Sequence, residues 1–152
     1  MSRLKNYAVS ILIPLGLGAI VGFLISGSMD YANLVQPPLS PPSWLFPVVW
    51  TILYVLMGVS YGILSEKSLV DDNTRLLYYG QLFVNLLWPV AFFVFKWRLF
   101  AFIWIVLLDV LVLRMVIKFY RKDETAGLLQ IPYALWVLFA SYLNLGVFIL
   151  NG

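Results

Sequence analysis

The 152-residue chain contains no cysteine and no histidine, and only 11% of its residues are charged. Without cysteine there is neither a disulfide framework nor thiolate chemistry. Without either residue, the usual zinc sites, Cys/His nucleophilic pairs, Ser-His-Asp triads and common haem ligands are excluded. No metal site is expected and no cofactor is required. A glycine-rich phosphate loop is missing as well, because GLGAIVG, Gly16 to Gly22, lies inside an apolar run. The net charge is only +3 and no basic patch suited to nucleic acid is formed.

What is present is overwhelmingly apolar. Hydrophobic residues make up 62% of the chain, aromatics 17%, and mean hydropathy is +0.93, far outside a soluble domain. Five apolar stretches fill it: Tyr7 to Ile25, Trp44 to Ser65, Leu76 to Phe95, Leu99 to Ile117, and Gly127 to Leu150. Each has roughly the 20 residues that a helix needs to cross ~30 Å of hydrocarbon. The many short alternating segments of a membrane β-barrel are absent. The expected fold is an all-α integral membrane protein, one domain over residues 1–152, with five transmembrane helices. Arg3 and Lys5 before an apolar run, with Ser26-Gly27-Ser28 after it, have the outline of a signal peptide. The run exceeds the ~7–15 residues of a signal h-region, so a retained helix is expected.

Cations set the expected orientation. With the N-terminus cytoplasmic, that side holds Arg3, Lys5, Lys67, Arg75, Lys118, Arg121 and Lys122, against Lys96 and Arg98 on the other. The C-terminus and the Ser26 to Ser43 loop then lie outside, as in a multi-pass protein of a bacterial plasma membrane.

Helical spacing gathers the polar and aromatic residues into stripes. Trp50, Tyr54, Met57 and Tyr61 share one face of the second span, and Gln81, Asn85, Trp88 and Phe92 one face of the third. Tyr133, Trp136, Ala140 and Asn144 do the same in the fifth. Interfacial belts account for Trp44, Trp97 and Tyr133, near span ends. Asn85 and Trp88 lie near mid-span, where lipid cannot satisfy an amide. Pro89 has no N–H for the Asn85 carbonyl, so a neighbouring helix, a cavity or a ligand must serve these groups. Gly18 and Gly22 have GxxxG spacing for close helix contact. Asp109 and Arg114 lie in the fourth span; Arg114 can snorkel to the near surface, and Asp109 is expected to bond a neighbouring helix or stay protonated.

The connection from Ser26 to Ser43 is 18 residues long and stiffened by Pro37, Pro38, Pro41 and Pro42. Such a length suits a semi-rigid lid packed on the bundle. Beneath it a ligand would meet prolines and aromatic rings, so a flat apolar molecule is expected. Any carboxylates on that ligand would have only Lys96 and Arg98 to meet on this side.

The run PPSWLFPVVWTILYVLMG, together with NLLWPVAFF and PYALWVLFASYLN, resembles the TspO/MBR family of tryptophan-rich sensory and translocator proteins, across all five segments. The resemblance implies a five-helix bundle, often a homodimer in membrane lipid. It also implies a pocket under the first loop for porphyrins and, in some members, isoquinoline or benzodiazepine-type ligands and cholesterol. By motif position Trp50 and Trp136 correspond to the pocket tryptophans, with Tyr31, Pro42, Phe46, Tyr54, Asn85, Trp88, Phe92, Ala140 and Asn144 completing the lining. Gln36 stands where members often carry a base. No Lys or Arg follows Tyr142, so the cholesterol-recognition pattern of animal members is missing and a sterol is not the expected ligand.

Three functions follow as expectations. The first is a tetrapyrrole-binding sensory or regulatory protein. The second is a light- and oxygen-dependent porphyrin-degrading enzyme, in which Trp50 and Trp136 would be the redox-active residues. The third is a small transporter of porphyrins or other apolar ligands, against which the lack of inverted helix repeats counts.

Overall fold

In the computed structural model, which describes residues 3–28 and 30–151, the long apolar stretches become helices α1 (Arg3–Ile25), α2 (Leu45–Glu66), α3 (Asp72–Pro89), α4 (Arg98–Lys122), α5 (Glu124–Leu129) and α6 (Ile131–Asn151). Five segments are long and apolar enough to span a bilayer, the last combining α5 and α6. The fifth stretch is therefore not one uninterrupted helix. Pro132 cannot donate to a carbonyl in the preceding turn, and the chain breaks at Gln130, whose N–H bonds the Gly127 carbonyl at 3.1 Å.

A second irregularity follows Pro89. The end of α3 widens into a π-helical turn, Val90–Val94, a usual response where the regular ladder loses a donor. Trp104 of α4 donates its indole N–H to the Val84 carbonyl at 2.8 Å, pinning α3 to α4 just before the irregular turn.

Helix α1 leans on α2 through glycine. Pro14, buried inside α1, has no N–H for the Ser10 carbonyl four residues back. That carbonyl instead lies against Gly58 of α2, where an added Cβ would stand 2.5 Å from it. One turn on, Gly62 makes room for the Tyr7 ring and its carbonyl accepts from Asn6 Nδ2 at 3.1 Å. The contact uses Gly58 and Gly62, a second GxxxG pair. Of the first pair, only Gly18 is close to α2, against the Tyr54 ring, while Gly22 has open space beside it.

The main core joins Leu53, Met57, Leu64, Leu82, Leu108 and Val137 from α2, α3, α4 and α6. A smaller cluster, including Ile25, Tyr31, Phe92, Ala101 and Val147, sits at the end where the first loop runs. Large apolar side chains such as Leu12, Phe23, Ile103, Leu135 and Ile149 are exposed around the outside, as a lipid-facing surface requires.

Ion pairs mark both ends. At one end Arg3 pairs with Glu66, Lys67 with Asp123, Arg75 with Asp72 and Lys122 with Asp71. At the other, Lys96 and Arg98 both reach Asp30 at 3.5 Å. The first loop forms short 3₁₀ turns at Ser26–Ser28 and Tyr31–Asn33, then runs irregularly to α2. Its middle rests on α6. Asn151 exchanges two hydrogen bonds with the Val35 backbone, Tyr142 donates to the Pro38 carbonyl at 2.6 Å, and Pro37 packs on Gly146, which has no side chain in the way.

Candidate functional site

Proline fixes the start of α2. Pro47 lies in its first turn, where a missing donor costs little, and the helix then carries Phe46, Trp50 and Tyr54 along one side. Facing them, α1 offers small residues, Gly18, Ala19 and Gly22, and α3 offers Asn85 and Trp88. Between the three helices lies a cavity of about 450 Å³. Ser26 on one side of the loop and Phe46 and Pro47 on the other stand in its wall, so the loop leaves and re-enters the bundle at this cavity. Among the described residues, no charged side chain lines it.

The back wall is polar but committed. Tyr54 donates its hydroxyl to Asn85 Oδ1 at 2.7 Å, and Asn85 Nδ2 donates to the Tyr133 hydroxyl at 2.7 Å. Tyr133 in turn donates to Gln81 Oε1 at 2.7 Å, and Gln81 Nε2 points at Met57 Sδ, 3.5 Å away. Both hydroxyl protons in this chain are committed. The Tyr54 hydroxyl therefore presents only acceptor lone pairs to the cavity. Asn85 owes its mid-membrane position to two tyrosines on neighbouring helices, which relieve the cost of a buried amide.

Five of the eleven expected lining residues meet around the cavity: Phe46, Trp50, Tyr54, Asn85 and Trp88. The other six lie elsewhere. Tyr31 is buried within the loop, edge-on to Phe46 with ring centroids 5.0 Å apart. Trp136 packs near Phe46 from the far side, with centroids 5.9 Å apart, and its buried indole N–H has no partner among the described residues. Phe92 stacks on Trp88 at 5.1 Å, and Asn144 accepts from the Trp88 indole at 2.9 Å while donating to the Arg98 carbonyl. Ala140 is in the main core, and Pro42 is exposed on the loop. The rings nearest Trp50 are Tyr54 and Tyr133, with centroids 5.8 and 6.3 Å away.

Two readings of the sequence change. Tyr133 is not an interfacial residue: it is fully buried and bridges α3 to α6. Its place in the stripe with Trp136 and Ala140 was the available signal, against its nearness to a span end. Arg98 is not a free cation for a ligand. It is 8% exposed, holds Asp30, and lies over the Phe92 ring at 5.3 Å. Gly22, expected from its GxxxG spacing to make a helix contact, instead leaves part of the cavity open. Asp109 does bond a neighbouring helix, with Ser141 Oγ of α6 2.6 Å away.

Comparison with known proteins identifies the family. The model of the TspO/MBR family matches residues 10–150. The chain is similar to the tryptophan-rich protein TspO of Archaeoglobus fulgidus, 36% identical over 99% of both chains. It is also similar to the protein of the same name from Chlorobaculum tepidum, 37% identical over 97% of this chain and 99% of that one. The translocator protein of Ovis aries is 33% identical over 75% of this chain and 70% of its own. A match that runs through all five membrane-spanning segments makes this chain a member of the TspO/MBR family.

Proposed function

We propose that this protein binds a flat, largely apolar ligand of the tetrapyrrole class in the cavity between α1, α2 and α3, as a membrane-embedded sensory or regulatory protein. The observation that carries this reading is the wall itself: Phe46, Trp50, Tyr54 and Trp88 face a cavity with no charged lining. Its volume falls within the ~300–1,000 Å³ usual for small-molecule sites. Such a wall offers stacking worth on the order of 1 kcal/mol per ring beyond burial, and no acid–base pair for hydrolysis. Fixed hydrogen bonds behind Tyr54 and Trp88 keep the rings in place, lowering the ordering cost of binding.

Protoporphyrin titrated in darkness into detergent-solubilised protein should quench tryptophan fluorescence saturably. Gly22→Leu, which fills open space in the wall, should weaken binding by roughly tenfold or more, or ~1.4 kcal/mol. Gly16→Leu, which also has open space beside it but lies outside the cavity wall, should not. Equal affinity in the two variants would place the ligand elsewhere.

Because Trp50 and Trp88 are in the wall, a second reading has a structural handle. An excited porphyrin could take an electron from an adjacent indole, with molecular oxygen as the final oxidant. Illumination in air should then bleach bound porphyrin faster in the parent protein than in Trp50→Phe, and Trp97→Phe, on the outer surface, should match the parent. Identical bleaching in all three removes the enzymatic reading and leaves binding intact.

A further inference from the structure

At the opposite end from the first loop, α3 and α4 part to form an open groove of about 970 Å³. Its rim is basic. Arg114, Lys118 and Arg121 follow each other at i, i+4 and i+7 on α4, so they share one face. At this same end Arg3, Lys67, Arg75 and Lys122 each pair with a carboxylate. Among the described residues, Arg114, Lys118 and Arg121 have no acidic partner. Cations without a carboxylate partner are thus collected along one groove.

Depth adds a second constraint. Arg114 precedes Lys122 by eight residues, or ~12 Å of helix, whereas each polar layer of a bilayer is only ~5–8 Å thick. With Lys122 at the outer edge of the polar layer, the α-carbon of Arg114 would sit at the level of hydrocarbon, a depth from which its side chain can snorkel to lipid phosphates. Below it the groove turns apolar at Leu77 and Leu111. Gly80 keeps this lower part open, since nothing lies within 4 Å of where its Cβ would be.

We propose that this groove is a binding site for one anionic phospholipid, its phosphate held by Arg114, Lys118 and Arg121 and the upper part of an acyl chain lying along Gly80. Charge complementarity selects the headgroup, and the apolar floor selects a lipid over a soluble phosphate. A second copy of the chain is a poor occupant, because two such faces would bring like charges together. The site is independent of the aromatic cavity and of whatever that cavity binds.

The test is lipid retention by the full-length protein in detergent micelles, followed by native mass spectrometry with dioleoylphosphatidylglycerol, dioleoylphosphatidylcholine or inorganic phosphate. Phosphatidylglycerol should be retained roughly tenfold better than phosphatidylcholine, given three cations near the headgroup, and inorganic phosphate should not be retained. The double variant Arg114→Gln, Lys118→Gln should lose that preference. Arg3→Gln with Lys5→Gln removes the same charge from α1 and should keep it. Gly80→Leu, which changes no charge, should weaken phosphatidylglycerol retention severalfold, and it carries the test should the double variant misfold. The proposal is overturned by equal retention of the two lipids, by equal loss in the α1 variant, by retention of phosphate, or by an unchanged Gly80→Leu.

Discussion

A single hydroxyl, that of Tyr133, has two buried clients: it accepts from Asn85 and donates to Gln81. The hydroxyl of Tyr54 has one, Asn85 Oδ1. Removing a partner costs more than a hydrogen bond is worth on average, because the group left behind stays desolvated, at ~1–3 kcal/mol each. Tyr133→Phe should therefore lower thermal stability in detergent more than Tyr54→Phe, by about the cost of one such orphan. A fluorescence melt of the two variants reads the order directly, and the reverse order would show that the chain of bonds is not closed as described. The roles of these hydroxyls were not legible in the sequence. Spacing put Tyr54, Asn85 and Tyr133 on inward faces, but a period of 3.6 says nothing about which face meets which. Tyr133 also sat near a span end, where tyrosine usually anchors to the interface, and only tertiary packing reverses that preference.

At the level of elements, proline and glycine act as a pair across the α1–α2 contact. Pro14 frees the Ser10 carbonyl, and Gly58 comes close enough to cover it with its Cα–H. Gly58→Ala should then push the helices apart and cost ~1–3 kcal/mol, as overpacking does, whereas Gly16→Ala, with open space beside it, should be neutral or slightly stabilising. Thermal melts of both variants check this, and equal melting temperatures would mean that α1 is held by lipid-facing contacts instead. The existence of five spans was plain from run length, because hydrocarbon thickness fixes how many apolar residues a helix needs. Their internal breaks were not. The interruption at Gln130 lies inside an apolar run, and a proline such as Pro89 does not by itself specify whether a helix kinks, ends or widens into a π-turn. The Gly58–Gly62 spacing was there to be read, but two GxxxG pairs in one chain look alike until a partner helix is in place.

For the whole molecule, charge sits at two ends, and the end with Arg3, Lys67, Lys118 and Lys122 should face the cytoplasm. In this cysteine-free chain, a single cysteine at exposed Asn33 should react with an impermeant thiol reagent in intact cells, and one at exposed Asn73 should not. Labelling at Asn73 alone would invert the orientation. Two carboxylates at the same end tie stability to pH. Asp71 is held below the ordinary carboxylate range by the hydroxyl and N–H of Thr74, and Asp123 by the ammonium of Lys67 and the Ala126 N–H. Because folding depresses both, their contribution is fully present above the unfolded value of ~3.9 and is lost as pH falls through the folded values. Melting temperature should be level from about pH 7 to pH 5 and drop below about pH 4, and Asp71→Asn should make the drop shallower. A drop of unchanged steepness in that variant would assign acid sensitivity elsewhere.

The bonds between Val35 and Asn151 join residues 116 positions apart in the chain. During synthesis, the loop emerges directly after α1, yet its resting place on Asn151, Tyr142 and Gly146 does not exist until α6 has been made and inserted. The first loop is consequently the last piece of the protein to settle. A nascent chain arrested before α6 should leave residues 33–39 open to an added protease from the moment α1 is in the membrane, and completion of α6 is what closes that window.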